Sequence, residues 1–166
     1  MAKNTYYFNT SDAGPTDPDS VWTNDANAFD GNTGTKAYHS SAGASDLDTG
    51  YLKGDGTNAP ASGNSISQVR VRTYANRGGS DDPIVAVIYT DGLGESLGSI
   101  SNTNIGTEGW SDYTTLSTPS GGWTWAKIQT LETKIYSGVW GYDQPAMFKI
   151  EIEVTSGNTT DFFQLF

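Results

Sequence analysis

The chain offers few groups that could carry chemistry. Its 166 residues hold one histidine, His39, no cysteine, and nineteen aspartates and glutamates. His39 stands beside Ser40 and Ser41 in a polar stretch with no Gly-x-Ser-x-Gly elbow, so it reads as a lone surface histidine and not as a catalytic base. One histidine and no thiolate cannot fill a typical zinc site. The glycine-rich loops lack the Gly-Lys-Ser/Thr ending that a phosphate cradle needs. Paired carboxylates for glycoside hydrolysis are set by the fold and not by spacing, so an abundance of acids decides nothing there. This inventory predicts a protein that binds or assembles and is not an enzyme. A small glycan hydrolase or lyase is the third-ranked alternative.

Hard oxygen donors are better supplied. Asn24-Asp25-Ala26-Asn27-Ala28-Phe29-Asp30-Gly31-Asn32-Thr33-Gly34-Thr35 gathers carboxylate and amide oxygens with glycines that let carbonyls turn inward, the donor chemistry of calcium. The segment resembles the Ala-x-Asp-Gly-Asn-x-x-Thr loop of discoidin-like, galactose-binding-type β-sandwich domains. Ala28, Asp30, Gly31, Asn32 and Thr35 carry the match, with Asp25 just ahead of it. The resemblance implies a structural calcium ion wrapped by this loop, with Glu151 or Glu153 from the last strand as the closing acid. It departs from the family where a tryptophan usually follows the threonine, for here Ala37 and Tyr38 follow. Asp46-Leu47-Asp48-Thr49-Gly50 also spaces its acids, but no glutamate closes it as in an EF-hand, and it reads as a turn.

Aromatic residues are the other resource, at 12% of the chain. Sugar-binding modules stack exposed rings on pyranose faces while polar side chains bond the hydroxyls. Trp22, Tyr38, Tyr51, Tyr74, Trp110, Trp140 and Tyr142 are candidates by type and position. The competing assignment is to the core or to subunit contacts. A further stretch, Tyr113 to Tyr136, runs Tyr-Thr-Thr-Leu-Ser-Thr-Pro-Ser-Gly-Gly-Trp-Thr-Trp-Ala-Lys-Ile-Gln-Thr-Leu-Glu-Thr-Lys-Ile-Tyr. It is similar to a segment of β-sandwich structural proteins of tailed phages, and that resemblance implies a virion part with no chemistry of its own.

The elements that must position these residues read as strands. Thr, Ser, Gly, Asn and Asp outnumber the helix formers, and twenty glycines supply tight turns. Gln68 to Tyr74 alternates Val69, Val71 and Thr73 with Arg70, Arg72 and Tyr74, the period of a half-buried strand. Pro83 to Thr90 is apolar on both faces and predicts a fully covered strand. Phe148, Ile150, Ile152 and Val154 alternate with Lys149, Glu151 and Glu153, the cleanest strand signature in the chain. Trp110 to Ser117 predicts another strand, while Asn4 to Asn9 and Lys36 to Ser40 predict short ones. Trp125, Ile128 and Leu131 predict one or two helical turns over 125–131. Turn signals between strands, with no interleaved helices, indicate an all-β, antiparallel β-sandwich of jelly-roll type. It is expected as a single domain over 1–166, with room for extended N- and C-terminal arms.

A net charge of −10 repels phosphate backbones and anionic headgroups, so neither nucleic acid nor a membrane is expected as partner. The first residues lack the apolar run of a signal peptide, and no stretch reaches the length of a membrane span, which leads us to expect synthesis in a host cytoplasm. The run Phe162-Phe163-Gln164-Leu165-Phe166 needs a cover, and Phe162, Phe163, Leu165 and Phe166 are assigned as an assembly hook or, alternatively, a last strand of the protein's own sandwich. The sequence therefore predicts a virion structural protein, a capsid decoration or a tail or fibre subunit assembled in the host cytoplasm. Its expected partners are capsid or tail proteins and copies of itself. The alternative is a carbohydrate-binding module of the galactose-binding type, with glycans as partner.

Overall fold

The computed structural model describes residues 1–11, 22–39, 51–78, 83–137 and 144–157. In chain order the strands are β1 (Ala2–Tyr7), β2 (Trp22–Thr23), β3 (Ala37–His39), β4 (Leu52–Asp55), β5 (Ser65–Asn76), β6 (Ile84–Tyr89), β7 (Ser96–Asn102), β8 (Gly109–Trp110), β9 (Thr114–Thr115), β10 (Glu132–Ser137) and β11 (Ala146–Gly157). They form two antiparallel sheets packed as a sandwich. The first runs β2-β3-β11-β5-β8, with β1 also paired to β11 and β9 to β5, and the second runs β4-β10-β6-β7. The chain crosses repeatedly from one sheet to the other, so most strand pairs are between segments far apart in sequence.

The core lies between the sheets. Val69, Val71, Thr73 and Ala75 of β5 and Ile150, Ile152 and Val154 of β11 face Ile84, Ala86 and Ile88 of β6, Ile100 of β7 and Ile135 of β10. β5 and β11 are the long central pair, matched from Ala146↔Asn76 to Gly157↔Ser65 with Val154 opposite Val69 and Ile152 opposite Val71. Among the described residues the one α-helix, α1 (Trp125–Gln129), plugs an end of the sandwich. The Thr124 hydroxyl caps it by accepting the Lys127 N–H, Trp125 meets Tyr6 edge-on, and Ile128 and the following Leu131 are fully buried. Asn102, fully buried at the end of β7, ties the sheets together: its amide donates to the Thr73 and Gly109 carbonyls, and its oxygen accepts the Asn104 N–H.

Three sequence expectations need correction in detail. β6 is covered on one face only, because Val85, Val87 and Tyr89 look outward from the second sheet and remain half-exposed. Trp110 to Ser117 is two short strands, since the backbone leaves β5 between Ser111 and Tyr113 and returns at Thr114. The alternation of β11 fails at its start. A bulge between Met147 and Lys149 lets Met147 take the inward place, while Phe148 turns to the ring of Tyr74 on the other face.

Candidate functional site

Arg70, Arg72 and Tyr74 stand on the outer face of the first sheet because the inward places of β5 belong to Val69, Val71, Thr73 and Ala75. The neighbouring strand puts Glu153 opposite Arg70, Glu151 opposite Arg72 and Lys149 opposite Tyr74. Each arginine donates Nε–H and Nη2–H to one carboxylate oxygen: Arg70 to Glu153 Oε1 at 3.0 and 2.7 Å, Arg72 to Glu151 Oε2 at 2.8 and 2.6 Å. Lys149 reaches the other Glu151 oxygen at 3.1 Å, and Lys3 of β1 reaches Glu153 at 3.2 Å.

The rings of β8 and β9 complete this face. Trp110 pairs across from Tyr74, and Tyr113 sits in the small detour before β9. The Arg72 guanidinium lies 4.0 Å from the Trp110 ring centre and 4.6 Å from that of Tyr113, and the Arg70 guanidinium lies 4.6 Å from that of Tyr113. Trp110 in turn meets Tyr74 at 5.1 Å, and Tyr74 meets Phe148 at 5.5 Å. Phe148, Tyr74, Trp110, Arg72, Tyr113 and Arg70 thus form one continuous column of flat groups across the sheet. Ring quadrupoles hold the cations, and the glutamates anchor them from the side.

This packing sets the charges. Burial pushes the Glu153 carboxyl up, but hydrogen bonds from Arg70 and Lys3 and their positive charge outweigh it, and the group titrates below the usual carboxylate range. A group so held is a poor proton donor near neutrality. Burial raises the Tyr113 hydroxyl above its ordinary value, with the nearby glutamates adding to that and Arg72 and Arg70 opposing it.

The remaining sequence candidates are dispersed. The loop holding Asp25, Ala28, Asp30, Asn32 and Thr35 closes on itself: Asp30 Oδ1 accepts the Asn32 N–H at 2.7 Å, Asp30 Oδ2 accepts the Thr35 hydroxyl, and Asn32 Oδ1 accepts the Gly34 N–H at 2.8 Å. Gly31, at φ +75°, lies against the ring of Tyr7, where an added Cβ would stand 2.6 Å from the ring, so no larger residue fits. Glu151 and Glu153, the expected closing acids, belong to the arginines. Among the described residues no group of three His, Cys, Asp or Glu side chains is gathered for a metal ion. As arranged, these side chains hydrogen-bond within the loop.

His39 is not a surface residue. It occupies β3, is 5% exposed and meets the ring of Trp22 edge-on. Trp22 is itself buried at 4% exposure, which makes it a core ring with no face for a ligand. Tyr38 is half-buried in β3, and Tyr51 lies on the outer face of the second sheet beside Tyr136, with the Lys134 ammonium 4.3 Å from its ring centre. Phe162, Phe163, Leu165, Phe166, Trp140, Tyr142 and the Asp46–Gly50 stretch lie outside the described residues. Reading residues singly missed Arg70, Arg72, Lys149 and Tyr113. The signal was present, since Arg-x-Arg and Glu-x-Glu occupy the two clearest strands at the same two-residue spacing.

No protein-family model, curated protein or solved structure matches the chain. The discoidin-like and phage-protein resemblances of the sequence therefore find no support from that side.

Proposed function

We propose that this chain is a non-catalytic structural subunit of a virion, a capsid decoration or a tail or fibre component, that works through contacts with its neighbours and with copies of itself. The use made of its rings supports this reading. A sugar-binding platform needs a ring face left open to the pyranose. Here Trp110 and Tyr113 are stacked with arginines, Tyr51 lies beneath Lys134, Tyr7 faces Lys149 at 5.4 Å, and Trp22 is buried. Such rings stiffen two broad outer faces, which is what a subunit needs to keep its shape against neighbours. The carboxylates best placed to be noticed as catalytic, Glu151 and Glu153, are neutralised by fixed cations, and this favours a structural role over acid–base chemistry.

The test is whether the protein copurifies with assembled particles, in a fixed copy number per particle by quantitative mass spectrometry. Its absence from particles, together with retention on a glycan array, would replace this reading with the carbohydrate-binding one. The apolar run 162–166 is assigned to the same role: a chain lacking it is expected to fold and stay soluble but no longer to join its assembly. A truncated chain that fails to fold would return the run to its own core.

A further inference from the structure

We infer that the Asp91-Gly92 step, in the turn between β6 and β7, is a site of spontaneous covalent modification, at which aspartate converts to isoaspartate and loosens the turn from β10. The sequence holds three Asp-Gly steps, at 30–31, 55–56 and 91–92, and no Asn-Gly. A glycine after the aspartate favours this chemistry, because no side chain of its own keeps its nitrogen from the carboxyl carbon. The reaction also needs a carboxyl group free to swing, an unengaged N–H and a main chain with room to turn. The fold withholds these at two steps. At Asp30 both carboxylate oxygens are taken, Oδ1 by the Asn32 N–H at 2.7 Å and Oδ2 by the Thr35 hydroxyl, and Gly31 is pressed against the Tyr7 ring. At Asp55 the attacking nitrogen is engaged: the Gly56 N–H donates to the Leu131 carbonyl at 2.9 Å, and Asp55 itself is paired with Glu132 across β4 and β10. Asp91 and Gly92 are both exposed, and neither the Asp91 carboxylate nor the Gly92 N–H has a hydrogen-bond partner among the described residues. Beyond the chain neighbours of Gly92, no atom lies within 4 Å of where a Cβ on it would stand.

Water is the only co-reactant. The Gly92 nitrogen attacks the side-chain carboxyl carbon of Asp91 and forms a C–N bond, while a carboxyl oxygen leaves as water with the amide proton and one proton from solvent. Water then opens the cyclic imide. Addition at the former main-chain carbonyl leaves the chain running through Cβ and Cγ of residue 91, longer by a methylene and with a new carboxylate on its Cα. The turn is closed at a fixed length: the Thr90 carbonyl accepts the Gly94 N–H at 3.2 Å, the Thr90 N–H donates to the Glu95 carbonyl at 3.0 Å, and the Thr90 hydroxyl accepts the Glu95 N–H at 2.8 Å. Leu93, at φ +52°, donates its N–H to Glu132. The added methylene falls inside the loop that these bonds close. It works against the Leu93–Glu132 bond, which alone among them reaches β10.

The experiment is to age the full chain for some weeks at neutral pH and physiological temperature, folded and in urea, and to locate isoaspartate by electron-transfer fragmentation of its peptides. In urea the three steps should react at similar rates, since each is an aspartate followed by glycine. In the folded chain isoaspartate at 91 should exceed that at 30 or 55 by about tenfold or more, the factor by which two hydrogen bonds of ordinary net strength hold a group back. Hydrogen exchange of the aged protein should be faster in the 91–95 turn and unchanged along β5 and β11. Asp91→Glu would have to close a larger ring, which is much slower, so the aged variant should keep the exchange of fresh protein. Equal isoaspartate at the three steps of the folded chain overturns the inference, as does more of it at 30 or 55 than at 91. Faster exchange in the turn of aged Asp91→Glu, or slow exchange there in wild type that carries isoaspartate 91, overturns the loosening.

Discussion

The two outer faces of the sandwich solve one problem in different ways. Each exposes a strand pair rich in rings, and each buries a glutamate that needs a partner. On the first sheet Glu151 is held by Arg72 and Lys149 from strand neighbours, and the charges run as a ladder along β5 and β11. On the second sheet Glu132 has Lys53 at 3.6 Å but spends its other oxygen on the backbone N–H of Leu93, in the turn joining β6 to β7. There the rings also group with one another: Tyr136 approaches Tyr51 at 5.9 Å and bonds Tyr89, and burial first, then these two phenols, raises its hydroxyl above the usual value. The first face uses charge to fix strand against strand, and the second uses it to fix a turn against a strand.

Arg72→Ala should show the contrast most strongly. It removes both hydrogen bonds that Glu151 Oε2 accepts from Arg72 and the guanidinium beside Trp110 and Tyr113, while Lys149 stays to soften the loss. A destabilisation of about 2 to 3 kcal/mol by urea unfolding is expected, below the full cost of stranding a wholly buried charge because Arg72 is partly exposed. A change under about 1 kcal/mol would mean that the ladder is ornamental. The counterpart on the second face, Glu132→Ala, should cost about 1 to 2 kcal/mol, the value of a charge-assisted hydrogen bond to a half-buried N–H. Its diagnostic is local: hydrogen exchange should speed up in the 91–93 turn and leave the β5–β11 amides unchanged. Exchange that quickens across both sheets would erase the distinction between the faces.

How much of this was legible in the sequence follows from the range of the physics involved. Alternation is local, so β5 and β11 could be read directly from Val69, Val71, Ile150 and Ile152. The helical turn at Trp125 was readable for the same reason. The bulge that turns Phe148 outward depends on the neighbouring strand and carries no local signal. His39 looked solvated because Ser40 and Ser41 follow it, yet pairing with β2 places it beside Trp22. The column needed the register of β8, β9 and β11 on β5, three pairings between distant segments, so its members were visible as residue types but not as a group. The loop at 30–35 is the opposite case: Asp30, Asn32 and Thr35 are close in sequence and close in space, and their side chains hydrogen-bond within the loop.

Tyr113→Leu should have a smaller effect, about 1 kcal/mol, because it keeps apolar bulk and removes only the ring face from Arg70 and Arg72. Tyr51→Leu on the second face takes the ring face from one cation only, Lys134, and should cost about half as much. Equal losses in the two variants, measured by thermal unfolding, would mean that ring packing alone matters and that the stacked guanidiniums add nothing.

The smallest effect is one of pH, and its sign follows from Glu153. Burial alone would raise this carboxyl, but the hydrogen bonds and charges of Arg70 and Lys3 bring it below the ordinary carboxylate range. A folded-state pKa that is depressed relative to the unfolded chain means that the unfolded state takes up the proton first as pH falls. The stability contributed by this group is therefore complete above the ordinary carboxylate pKa and is lost as the pH drops through that value towards the depressed one. Arg70→Gln removes the larger restraint, so its stability should fall less steeply with acid than that of the wild type, even though the variant is less stable at neutral pH. Lys3→Gln should flatten the same limb to a lesser degree, since Lys3 is mostly exposed and its attraction is screened by water. Lys134→Gln, on the other face, should shift the whole curve without changing its acid slope. If Arg70→Gln and Lys134→Gln give parallel curves between neutral pH and the onset of acid unfolding, the ladder is not where the first face stores its acid sensitivity, and the electrostatic difference between the two faces is lost.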